Sequence, residues 1–121
     1  METNNNEIVT YTNPHPGSVL ESELEARGIS ATDFSIKSGI ELPILKGILN
    51  KEIALTPEIA KKFESALGID ATFWLNYQHR YDTWPERRAA YEAAHPEVPR
   101  SKELIKIQKS RKKAELYAQP A

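Results

Sequence analysis

The sequence predicts an all-α fold: five helices around one small core, followed by a helical extension. Three observations carry this expectation. No segment alternates apolar and polar residues as a half-buried strand would. Apolar residues recur instead at spacings of three and four behind good helix starts. Gly28, Gly39 and Gly68 stand where those helices have to stop.

Taken in order, the polar stretch 1–13, with Asn4, Asn5 and Asn6, has little to bury and is expected to be disordered. Pro16 and Gly17 open a first helix, whose apolar face is Val19, Leu20 and Leu24 and whose stop is Gly28. Residues 30–50 then read as two short helices joined by a glycine turn. Ser30 is a good N-cap with Asp33 three residues on, Phe34 is apolar, and Ser35 is small where helices would touch. Gly39 supplies the turn, and Ile40, Leu45 and Ile48 anchor the second helix. Thr56-Pro57-Glu58 starts a fourth helix with cap, N1 proline and first-turn acid. It carries Ile59, Ala60, Phe63, Ala66 and Leu67. Asp70 caps a fifth, with Phe73, Trp74, Leu75, Tyr77 and Tyr81. After Trp84, Pro85, Pro96 and Pro99 are expected to break the chain into pieces, with a short helix over 86–94 and another from Ser101. The domains expected are therefore 1–13, 14–84 and a basic extension, 85–121.

Charge separates these regions. Twelve acidic and seven basic residues lie up to Pro85, about −5; five and nine follow, about +4. In the last helix Lys102, Lys106, Lys109 and Lys113 share a side, while Leu104 and Ile107 share another that is too narrow for a core. It is expected to dock weakly or stay mobile. Its charge suits a nucleic-acid backbone, and the acidic half, including Glu21, Glu23 and Glu25, suits a basic protein.

Other chemistry finds no support. There is no cysteine, and His15, His79 and His95 lack any metal-ligand spacing. No phosphate loop or nucleophile elbow is present, so no catalytic residue, cofactor or metal is expected. No run approaches the ~20 apolar residues of a membrane span. A cytoplasmic location is expected.

With its elements in place, the stretch 15–84 resembles the HigA/VapI-type antitoxins, a branch of the Xre/Cro-like, lambda-repressor-like helix-turn-helix family. Three motifs carry the resemblance: His15-Pro16-Gly17; Leu49-Asn50 followed by Thr56-Pro57-Glu58; and Phe73-Trp74-Leu75 with Tyr81-Asp82. The resemblance implies a bacterial toxin–antitoxin module whose antitoxin dimerises, represses its own operon and neutralises a HigB-type toxin, a small ribosome-dependent RNase. It places DNA contacts at Lys37, Glu41, Leu42, Lys46 and Lys51. The surplus of aromatics suggests a homodimer interface at Trp74, Tyr77, Tyr81 and Trp84.

The reading residues depart from the family pattern. Ala31 stands where a Gln is usual, and Glu41-Leu42-Pro43 where Ser, Arg, Gln or Thr are usual. Leu and Pro cannot donate to guanine or pair with adenine. Gly47 costs the helix ~1 kcal/mol against alanine. DNA binding is therefore expected to be weak in base discrimination, with Lys37, Lys46 and Lys51 on phosphates. Two alternatives stay open: a protein-interaction module on a degenerate helix-turn-helix, and a stand-alone transcriptional regulator.

Overall fold

A computed structural model describes residues 8–118; the expected disorder of residues 1–7 lies outside them. The described residues form six helices and no strand: α1 (Pro16–Arg27), α2 (Ala31–Ser38), α3 (Leu42–Leu49), α4 (Pro57–Leu67), α5 (Ala71–Ala94) and α6 (Lys102–Ala118). They divide into two compact units, Pro14–Tyr81 and residues 8–13 with 82–118.

Local hydrogen bonds fix the ends of the first unit's helices. His15 Nδ1 accepts from the Gly17 N–H at 2.9 Å and caps α1. Ser30 Oγ accepts from Asp33 N, Thr56 Oγ1 from Ile59 N and Asp70 Oδ1 from Thr72 N. α1 and α2 both pack on α3, and α2 also on α4. Leu20, Leu24, Phe34, Ile40, Leu45, Ile48, Phe63 and Trp74 fill the core between them. Phe63 is its hinge of aromatic contact, 5.8 Å from Phe34 and edge-on to Trp74 at 5.0 Å. Gly17 is where α1 and α3 meet most closely: a Cβ there would overlap the Ile48 carbonyl oxygen.

The second unit departs from the sequence expectation in three ways. First, Pro85 does not end a helix; α5 runs through it without a break. An interior proline forfeits one backbone bond and crowds the preceding turn, at ~3 kcal/mol or more. Burial of Trp84, Pro85 and Arg88 on that stretch offsets the loss. Second, residues 8–13 are not a loose lead. Their carbonyls accept from side chains far along the chain: Val9 O from Arg88, Thr10 O from Trp84 Nε1 and Tyr11 O from Ser101 Oγ, all at 2.8–2.9 Å. Asn13 N donates to Glu103 Oε1. Third, α6 is anchored at its start. Ser101 is wholly buried and caps it, and Leu104 is buried beside it.

Arg88 is the centre of this unit. Its guanidinium reaches Glu92 Oε2, the Val9 carbonyl and the Pro99 carbonyl at 2.8–3.0 Å. It also lies 5.3 Å from the ring centroids of Tyr11 and Tyr91. Glu92 in turn accepts from the Ser101 N–H at 2.7 Å. That backbone bond, and then Arg88, hold the Glu92 carboxyl below its ordinary value of 4.5. A carboxyl depressed on folding contributes stability above its unfolded pKa and loses it as pH falls toward the folded one. The unit 82–118 should therefore loosen as pH drops below 4.5. Hydrogen exchange at Ser101 across that range should register the loss, and in Glu92→Gln the pH dependence should flatten.

Candidate nucleic-acid interface

Helices α2 and α3 with the turn between them form a helix-turn-helix, and side chains as well as backbone set its angle. Gly39 takes φ 79°, a left-handed conformation that only glycine adopts cheaply. On the far side of the turn, the Ser35 hydroxyl donates to the Ile40 carbonyl at 2.5 Å and Ile40 N donates to Ser38 Oγ. Ser35 is thus a tie across the turn as well as a small residue, a role its size alone does not announce.

The end of α3 is unusual. The N–H of Lys51 donates to Ile48 O and that of Glu52 to Gly47 O, the double bond of a Schellman stop. The left-handed position, normally glycine or asparagine, is Lys51 at φ 67°. Beyond it Ile53 folds back over the helix, and its N–H also reaches Gly47 O. A Cβ at Gly47 would overlap the Ile53 side chain. Gly47, which reads in the sequence as a mere helix weakness, makes room for this loop.

The structure places the five residues expected to meet DNA as follows. Lys37 is exposed in the last turn of α2. Glu41 is exposed at the N-cap of α3, where its side chain makes no capping bond. Leu42 is half-buried, and Lys46 is exposed on α3. Lys51 is exposed in the loop behind. Beside them are exposed apolar groups: Pro43, which the sequence already places at the start of the recognition helix, and two that it does not single out, Ile44 at 36% exposure and, on α2, Ile36 at 77%. The helical spacing that buries Phe34 signals the exposure of Ile36, two residues on.

A groove of about 450 Å³ opens on the same unit between α1 and α3. Leu24, Ile29 and Leu49 line it, with Glu21, Glu25 and Lys46 among its polar groups. Glu21 and Glu25 have no ion pair among the described residues, whereas Glu23 is engaged by Arg27 at 3.1 Å.

The four aromatics expected at a dimer interface do not share one surface. Trp74 is fully buried in the core, and its indole N–H has no partner among the described residues. Trp84 is 1% exposed and bonded to Thr10. Neither offers area to another subunit; both serve their own unit's interior. Tyr77 and Tyr81 are half-buried, the latter edge-on to His15 at 4.7 Å. The outward ring is Phe73, 40% exposed and 5.2 Å from Tyr77. Adjacent helical residues point ~100° apart, so of Phe73 and Trp74 only one can face the core.

Among the described residues no cluster of His, Asp or Glu could hold a metal ion, and no helix is long and apolar enough to cross a membrane.

No family model matches the chain. It is similar to antitoxin HigA-1 of Vibrio cholerae, 34% identical over 79 residues that span 64% of this chain and 74% of that one. Among solved structures it is similar to an addiction module antidote protein of the HigA family from Coxiella burnetii. That match has 27% identity and a TM-score of 0.60, over 72% of this chain and 96% of the other. A Pseudomonas aeruginosa antitoxin HigA solved with the higBA promoter has the same fold, at 21% identity and TM-score 0.60, over 73% and 97% of the two chains.

Proposed function

The chain belongs to the HigA family of antitoxins, which are not enzymes, and from that membership we propose a cytoplasmic antitoxin that binds a HigB-type toxin directly and represses its own operon as a DNA-binding dimer. The observation that carries the DNA half is the intact scaffold of α2, turn and α3, with Lys37, Lys46 and Lys51 all exposed around it. In such a scaffold the second helix enters the major groove and surrounding cations hold phosphates. The P. aeruginosa relative solved with promoter DNA supports this reading by analogy of fold.

The experiment is a gel shift on the duplex upstream of the chain's own gene, repeated across salt concentrations. Lys37→Ala and Lys46→Ala should each weaken binding to all sequences alike and reduce the salt slope by about one unit. Lys51→Gly discriminates further. Releasing a non-glycine residue from the left-handed region should stabilise the fold by about 1 kcal/mol. Loss of the cation should nonetheless weaken DNA binding. A higher melting temperature with lower affinity is the expected pair of results; unchanged affinity would remove Lys51 from the interface.

For the dimer, Phe73 and Tyr77 on the outer side of α5 are the aromatic surface available to a second copy. Light scattering should give about twice the chain's 13.7 kDa. Phe73→Arg should halve that mass; a monomeric parent protein would exclude the dimer. For the toxin, the groove beside α1 offers an apolar floor with two carboxylates, Glu21 and Glu25, that have no ion pair among the described residues and suit a basic apolar segment. The basic face of α6, with Lys102, Lys106 and Lys109 exposed, fits the DNA backbone instead.

A further inference from the structure

We infer that α3 reads its operator by apolar contact with thymine methyl groups, with Pro43 and Ile44 as the specificity-determining side chains. The inference rests on the proposed entry of α3 into the major groove. Base edges are met by the N-terminal residues of a recognition helix. Here those residues are Leu42, Pro43 and Ile44, and none carries a side-chain donor or acceptor. Pro43 lacks even a backbone N–H. One turn further on, Gly47 has no side chain and is covered by Ile53. The side chain with a polar group at this end is Glu41, whose carboxylate is exposed and makes no capping bond.

The major-groove edges then sort by chemistry. Guanine presents two acceptors, N7 and O6, and would lose water against the apolar Pro43 and Ile44 side chains, so it is disfavoured at that contact. Thymine presents the apolar C5-methyl, which Pro43 and the exposed part of Ile44 can cover. Adenine, its partner, presents an N6 amino donor that the Glu41 carboxylate can accept. Glu41 can accept from cytosine N4 as well as from adenine N6, so the methyl contact is what separates an A·T pair from a G·C pair.

Uracil removes the methyl and leaves every hydrogen-bonding group of thymine in place. The upstream duplex should therefore be amplified once with thymidine and once with deoxyuridine triphosphate, and the affinity of the full chain measured for both at one salt concentration. Binding to the uracil duplex should be weaker by about fourfold for each methyl contacted, and by ten-fold or more where two half-sites are read. In Ile44→Ala and Pro43→Ala, whose folding circular dichroism checks, that ratio should shrink toward one. Equal binding to both duplexes by the parent protein would overturn the inference and leave the DNA-binding function standing. A thymine preference undiminished in both variants would assign it to duplex shape, and would overturn the inference too. Absence of binding to either duplex would overturn DNA binding itself, and this inference with it.

Discussion

Replacing Gly17 by alanine is expected to cost the Pro14–Tyr81 unit about 3 kcal/mol, the largest effect of any single methyl in the chain. The added Cβ meets the Ile48 carbonyl, which is backbone and cannot swing aside as a side chain can. Relief requires α1 to move off α3, and both Leu20 and Ile48 are fully buried at that contact. The displacement would also disturb the Gly17 N–H bond to His15 that caps α1. For a unit of this size the loss corresponds to a fall in melting temperature of roughly 15 °C. Thermal denaturation followed by circular dichroism measures it. A shift of only about 2 °C would mean that α1 and α3 approach less closely than described.

Arg88→Met is expected to act as strongly on the other unit. Its guanidinium, almost fully buried, binds a carboxylate and two carbonyls from three separate segments. Removing it takes the buried partner from the half-buried Glu92, which keeps Arg100 at 3.7 Å and the Ser101 N–H, and leaves the Val9 and Pro99 carbonyls without this donor, a change of about 3 kcal/mol. Amide exchange should accelerate across residues 8–13 and at the start of α6, while protection within α2–α4 is retained. The double variant Arg88→Met/Glu92→Met should recover part of the loss, because two apolar groups no longer strand a charge. Uniform acceleration across both units would contradict the assignment of Arg88 to one of them.

The two variants also mark what a sequence can disclose. The ends of α1, α2 and α4 and the start of α5 were legible, because Gly28, Gly39 and Gly68 stop the first three and caps such as Ser30, Thr56 and Asp70 bond to residues two or three positions away; those of α3, with an uncapped Glu41 and a left-handed Lys51, were not. The Gly39 turn and the Phe34, Leu45 and Ile48 anchors were legible from spacing alone. The Arg88 cluster was not. It joins residues up to 79 apart through backbone carbonyls, which every residue carries and no letter of the sequence distinguishes. For the same reason residues 8–13 looked featureless. Pro85 misled because its local cost is visible, whereas the burial that offsets it depends on partners outside the helix. At the candidate site, the cations of α2, α3 and the loop behind them stood out by type. The closing of Gly47 by Ile53 depended on a loop whose path the sequence did not specify.

The most direct test of the antitoxin assignment is growth under toxin expression. The proposal expects a small basic reading frame, the HigB-type toxin, beside this chain's gene; that frame should be induced alone and together with the full chain. Growth arrest by the toxin alone, relieved when the chain is co-expressed and accompanied by a complex that co-purifies, is the expected result. Arrest that persists with the chain in molar excess and no complex formed would contradict the claim that this protein is the toxin's antidote.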